Sequence, residues 1–221
     1  MEKVRAIITG ATGMVGEGVL HECLQSETVE KVLVVGRRSC NVTHPKLTEI
    51  IVKDFFDLSS IEDELKGFNG CFFCLGMSSV GVSKEEYERM TYDLTMSFAK
   101  TLVKENPEMT FCYVSGKGTD STEKSSLHWA RVKGKTENDV MKLPFKRVFA
   151  FRIGFVKPSK GAKNVLTAYK YVGWLYPLVR AVSNKYASTL SEVGQAMIKS
   201  VTKGCEKQIL EVEDIIKLSQ K

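Results

Sequence analysis

The sequence predicts an α/β protein: a doubly wound parallel sheet with a small C-terminal lobe. Three observations carry this. Short apolar, β-branched runs alternate with helix-period segments along the whole chain, the pattern of crossovers that lays parallel strands under helices on both faces. The strand runs are apolar throughout rather than alternating, as strands buried on both faces are. The 221 residues, 43% hydrophobic and 26% charged, suit one compact domain with a full core. No repeat, low-complexity tract or linker divides the chain, so residues 1–221 are read as one domain, with residues from about 155 to 205 supplying the lobe.

The elements follow in order. Val4 to Thr9 is a buried strand ending at Gly10. Met14 to Gln25 has helical spacing, with Val15, Val19, Leu20 and Cys23 on one side. Lys31 to Gly36 and Leu47 to Val52 are the next strands, Ile61 and Leu65 mark a short helix, and Gly70 to Leu75 is the fourth strand. Lys84 to Glu105 reads as one long helix stopped by Asn106-Pro107, and Met109 to Ser115 as the fifth strand. A loop rich in Gly, Ser, Thr and Lys leads to a helix from about Ser125 to Leu143, stopped by Pro144. Arg147 to Arg152 is the sixth strand. The remainder reads as mostly helical, with a short strand near Gln208 to Val212 and a last helix.

Composition excludes several classes. No apolar run reaches the roughly 18 to 20 residues that cross a bilayer, and no secretory signal precedes the first strand, so a cytoplasmic address is expected. Of six cysteines only Cys71 and Cys74 are close, inside a strand-like run where residues three apart point to opposite faces. They read as core residues, and with His21, His44 and His128 scattered no metal site is expected. The net charge of +6 is local: between Asp139 and Glu192 lie ten basic residues and no acidic one, interleaved with aromatics such as Tyr169, Tyr171 and Trp174. This segment reads as a solvated face over buried aromatics, or as an attractor for an acidic small molecule. A membrane surface, a protein partner or single-stranded nucleic acid are the remaining options. A small-molecule substrate is the expected partner, and no nucleic acid is expected.

The chemistry begins at Gly10-Ala11-Thr12-Gly13-Met14-Val15-Gly16, set between the first strand and the first helix. Glycines there let the backbone turn tightly against a pyrophosphate, and the helix N-terminus favours its charge. In that context the pattern predicts a dinucleotide. After the second strand stands Gly36-Arg37-Arg38-Ser39, where an NAD-selective chain carries a carboxylate for the ribose 2′-hydroxyl. Two guanidiniums suit a 2′-phosphate instead, and the predicted cofactor is NADP(H).

Together with Asp54-Phe55 and Cys74-Leu75-Gly76 after the third and fourth strands, these motifs resemble the atypical short-chain dehydrogenases/reductases of the NAD(P)-binding Rossmann superfamily. The runs Val114-Ser115-Gly116-Lys117-Gly118 and Trp129-Ala130-Arg131-Val132-Lys133-Gly134-Lys135 are similar to its Tat-interacting oxidoreductase-like, or nucleoside-diphosphate-sugar-epimerase-like, branch. The resemblance implies that Gly10, Thr12, Gly13, Met14 and Val15 surround the pyrophosphate. It implies that Arg37 and Arg38 hold the adenosine phosphate, that Asp54 and Phe55 meet the adenine, and that Cys74, Leu75 and Gly76 pass the nicotinamide-side ribose. Ser115 would polarise a substrate carbonyl, and Lys133 would serve catalysis and bond the ribose hydroxyls. Arg152-Ile153-Gly154 stands where the family has Arg-Pro-Gly.

One position departs from the family. Its catalytic pair is Tyr-x-x-x-Lys, on one helix face. Here the lysine is Lys133 and the tyrosine position holds Trp129, whose indole donates a hydrogen bond but relays no proton. His128, Tyr113, Ser126, Ser115 and water are the substitutes at hand, with Tyr113 read as core. The resemblance thus implies a reductase of a small carbonyl compound. The alternatives are a dinucleotide-binding sensor or docking protein of weak or no activity, and a nucleotide-sugar epimerase or dehydratase.

Overall fold

A computed structural model describes residues 2–159, 161, 163–165, 176 and 185–220. Nine strands and six α-helices occur among them: β1 (Val4–Thr9), α1 (Met14–Gln25), β2 (Val29–Gly36), β3 (Leu47–Ile51), β4 (Gly70–Phe73), α2 (Lys84–Glu88), α3 (Leu94–Glu105), β5 (Thr110–Gly116), α4 (His128–Val140), β6 (Arg147–Ile153), β7 (Phe155–Lys157), β8 (Ala187–Thr189), α5 (Leu190–Thr202), β9 (Ile209–Leu210) and α6 (Val212–Gln220). Seven strands form one sheet in the order β3-β2-β1-β4-β5-β6-β9, all pairs parallel. This is the doubly wound, Rossmann-like sheet that the alternating pattern predicts.

Successive residues of each strand feed opposite cores, as the pleat requires. Ile7, Leu33, Phe73, Phe111 and Tyr113 pack with Phe98 and Leu102 of α3 on one face. Ile8, Val34, Phe72, Cys112 and Phe151 pack with Val19 of α1, Met197 of α5 and Ile215 of α6 on the other. Cys71 belongs to the first core and Cys74 lies against the second, so the pair is split across the sheet as read. The strand order reverses between β1 and β4, which opens a crevice at their C-terminal ends.

Four readings need correction. The helix expected over 84–105 is broken by a π-helical turn at Arg89–Asp93 between α2 and α3. Hydrophobic spacing alone does not register one residue inserted into a turn. The helix expected from Ser125 begins only at His128 and ends at Val140, short of Leu143. The carboxylate of Asp120 accepts from the amides of Thr122, Lys124 and Ser125, folding that stretch into a turn. The short helix near Ile61 is a single 3₁₀ turn, Ser59–Ile61. The segment after β6, read as mostly helical, contributes a small second sheet in which β7 and β8 pair in parallel.

The middle of the expected lobe, including Lys160, Tyr169, Lys170, Tyr171, Trp174 and Arg180, lies outside the described residues. Of the described cations in the basic segment, Lys142, Lys146, Arg152 and Lys185 each face a carboxylate. No helix among the described residues is long and apolar enough to cross a membrane.

Candidate functional site

The glycine turn sits at the mouth of the crevice. Gly10 takes φ 71°, a left-handed conformation that side chains other than glycine's rarely tolerate. A Cβ there would lie 2.6 Å from the Cys74 carbonyl oxygen, so Gly10 lets β1 run against the backbone leaving β4. At Gly16 a Cβ would overlap the Gly10 carbonyl, so this glycine lets α1 close onto the turn. The Gly13 amide donates to the Gly10 carbonyl at 2.9 Å and Gly13 caps α1. The first-turn amides of α1, beginning at Met14 and Val15, then have no acceptor within the helix and face the turn's concave side. The Met14 side chain itself packs inward, with Val156 and Leu190.

Two adjoining cavities extend from the turn. A small one of about 60 Å³ is lined by Gly10, Ala11, Thr12, Gly36, Arg37, Arg38, Phe55 and Leu75. The other, of about 160 Å³, shares Arg37, Phe55 and Leu75 and adds Lys53, Asp54, Phe56, Arg89, Met90 and Leu94. Thus the structure brings the glycine turn, Arg37, Arg38, Asp54, Phe55 and Leu75 to one crevice. Phe55 is buried and stacks on Phe98 at 5.8 Å between ring centroids. Asp54 accepts from the amide of Phe56 at 2.9 Å. The Leu75 amide donates to Thr9 Oγ1 at 3.3 Å, and a Cβ at Gly76 would meet nothing within 4 Å. This cradle fits a dinucleotide: close-approaching backbone for the pyrophosphate, an apolar floor for a purine, and cations at its outer end.

At the C-terminal end of β5 the arrangement differs from the motif reading. The Ser115 hydroxyl is buried and donates to Glu137 Oε1 of α4 at 2.5 Å. To donate to a substrate carbonyl it would have to release that carboxylate. Glu137 is also held by Arg152 of β6, through Nε at 3.1 Å and Nη2 at 2.6 Å. Arg152 in turn reaches Ser121 and Glu211. Sequence reasoning missed Glu137. Its signal was a carboxylate one turn after Lys133 on a helix face turned toward the sheet, with an arginine ending an apolar strand.

Lys133 is half-buried, with its ammonium over the Tyr113 ring at 5.4 Å and no carboxylate partner among the described residues. Burial pulls its pKa down to about 8, against an opposing pull from Glu137. Tyr113 is buried beneath it, its hydroxyl without a hydrogen-bond partner among the described residues and its pKa pushed far up by burial. It is a core residue, not an acid. Trp129 covers the loop after β5: Cβ atoms built on Gly116 and Gly118 would lie 3.9 and 3.4 Å from its ring. His128 packs edge-on against Tyr87 at 6.0 Å, away from that loop. No group of three His, Cys, Asp or Glu suited to a metal occurs among the described residues.

Comparison with known proteins agrees with this geometry. Residues 6–124, more than half of the chain, match the NAD dependent epimerase/dehydratase family. The chain is 30% identical over 168 residues to Protein FMP52-1, mitochondrial, of Scheffersomyces stipitis, covering 73% of each. It is 29% identical over 156 residues to Protein HTATIP2 of Rattus norvegicus, covering 70% of this chain and 63% of that one. The chain spans between 54% and 73% of the length of such relatives. Among solved structures, the Bordetella bronchiseptica enzyme WbmF in complex with NAD+ superposes with a TM-score of 0.69 over 99% of this chain and 77% of that one. At 13% identity that likeness shows the fold alone. The glycine cradle, the sheet order and the sequence match together place this chain in the NAD dependent epimerase/dehydratase family.

Proposed function

We propose that this chain is an NADP(H)-binding reductase of the atypical short-chain type, acting on a small carbonyl compound. The observation that carries the reading is the glycine cradle opening onto Arg37 and Arg38, with no carboxylate in the Gly36-Arg37-Arg38-Ser39 run that ends β2 to take a ribose 2′-hydroxyl. The first-turn amides of α1 hold the pyrophosphate, Asp54 and Phe55 bound the purine, and Arg37 and Arg38 meet the 2′-phosphate. When bound, the dinucleotide supplies the hydride. The proton comes from this chain. Trp129 can only donate a hydrogen bond and Ser115 is held by Glu137. Lys133, with a pKa near 8, is the group poised to give a proton to the carbonyl oxygen near neutral pH. A cytoplasmic location is part of the proposal, and fractionation tests it against the mitochondrial one in the name of the relative FMP52-1.

Fluorescence titration tests the cofactor. NADPH should bind at least about tenfold more tightly than NADH, and Arg37→Ala with Arg38→Ala should erase the difference. Equal affinities in the wild type would sink the phosphate reading. A second reading, a dinucleotide-bound sensor or docking protein, is favoured by Trp129 lying over the Gly116–Gly118 loop. NADPH oxidation across a panel of small carbonyls separates the two. Turnover in the wild type supports the reductase, whereas turnover that appears only in Trp129→Tyr supports the sensor.

A further inference from the structure

Several described cations of this protein are paired with carboxylates. Lys66, Lys117, Lys135, Lys142, Lys146, Arg152 and Lys207 all have carboxylate partners. Those around the two crevice cavities have no such partner among the described residues. They are Arg37, Arg38, Lys53 and Arg89, from three separate stretches of chain. The one acidic lining residue, Asp54, turns an oxygen to the Phe56 amide. Gathering four like charges is unfavourable in the empty protein, and a bound anion relieves it.

Arg89 is the informative member. It opens the π-helical turn, which inserts a residue into the α2–α3 helix and so resets where the side chains of that turn point. Its guanidinium lies over the Phe56 ring at 4.8 Å. A guanidinium held over a ring by cation–π attraction still has N–H groups to offer the oxygens of a phosphate.

We propose that Arg89, seated on Phe56 by the π turn and seconded by Lys53, is a third wall of the 2′-phosphate subsite and determines selectivity for the phosphorylated dinucleotide alongside Arg37 and Arg38. The inference rests on the NADP(H) reading above. It adds that phosphate selection is made from both sides of the crevice, not from the loop after β2 alone. The cofactor's adenosine 2′-phosphate is the ligand group, so adenosine 2′,5′-bisphosphate should report it without the nicotinamide half.

The full chain and its Arg89→Ala, Arg89→Lys and Lys53→Ala variants are titrated with NADPH, NADH, adenosine 2′,5′-bisphosphate and 5′-AMP. Arg89→Ala should lose about tenfold or more in affinity for the two 2′-phosphorylated ligands and within about twofold for the others. Lys53→Ala should shift in the same direction by less. Arg89→Lys keeps the charge but not the planar fork, and should fall between wild type and alanine, so the inference stays testable if the alanine variant does not fold. Equal losses for NADPH and NADH would make Arg89 a purine wall and overturn the inference, as would no loss at all. If wild type prefers NADPH and only Arg37→Ala with Arg38→Ala removes the preference, this inference falls and the cofactor reading stands. If wild type shows no preference, both fall.

Discussion

Glu137→Gln tests whether the buried carboxylate organises the C-terminal end of the sheet around β5 and β6. Its side chain is 0% exposed, and that of its partner Arg152 is 12% exposed. The substitution keeps shape and leaves an amide oxygen to accept from Ser115, but removes the charge facing Arg152. Breaking a buried ion pair from one side costs about 3–5 kcal/mol, because the remaining charge stays desolvated. Glu211, 3.2 Å from Arg152 and itself partly exposed, offsets part of that, which puts the expected loss near the lower bound, about 3 kcal/mol. At about 2–4 °C per kcal/mol for a chain of this size, the melting temperature should fall by about 6–12 °C. Urea denaturation of wild type, Glu137→Gln, Arg152→Met and the double variant completes a cycle. The double variant should lose clearly less than the sum of the singles. Strict additivity, or a loss under about 1 kcal/mol for Glu137→Gln, would refute the network as described.

The glycine turn and Lys133 carry three further predictions. Gly16→Ala should strongly reduce dinucleotide binding in a titration, since its Cβ overlaps backbone rather than a movable side chain; binding within about twofold of wild type would show that the turn is not the cradle. Lys133 has its pKa lowered from 10.5 to about 8, so carbonyl reduction should fall as pH rises through about 8, and Lys133→Met should remove that inflection. The sign for stability is opposite. Between the folded and unfolded pKa values the unfolded chain binds more protons, so stability contributed by this group rises with pH from about 8 to 10.5. A denaturation series showing no such gain relative to Lys133→Met would remove the desolvated lysine from the argument.

The sequence by itself determined the layered fold and the glycine turn at the mouth of the crevice. Both are written in local terms. Strands buried on two faces must be apolar throughout, and a turn such as Gly10 to Gly16 needs glycine wherever backbone meets backbone. The split of Cys71 and Cys74 was legible for the same reason, since the pleat alternates faces residue by residue. Trp129 in place of tyrosine was equally plain, being a matter of residue type at a spacing.

Only the tertiary structure decided what surrounds those positions. Ser115 was a carbonyl donor by motif, yet its hydroxyl is bound to Glu137, 22 residues away in sequence. Arg152 belonged to a strand signature, yet it closes an ion network reaching from α4 to Glu211. Arg89 carried no signal in sequence, because a π turn shifts register without changing composition. Long-range electrostatics depends on which elements meet, and no local pattern encodes that. The depressed pKa of Lys133 has the same origin, since its desolvation comes from elements far apart in the chain folding around one ammonium group.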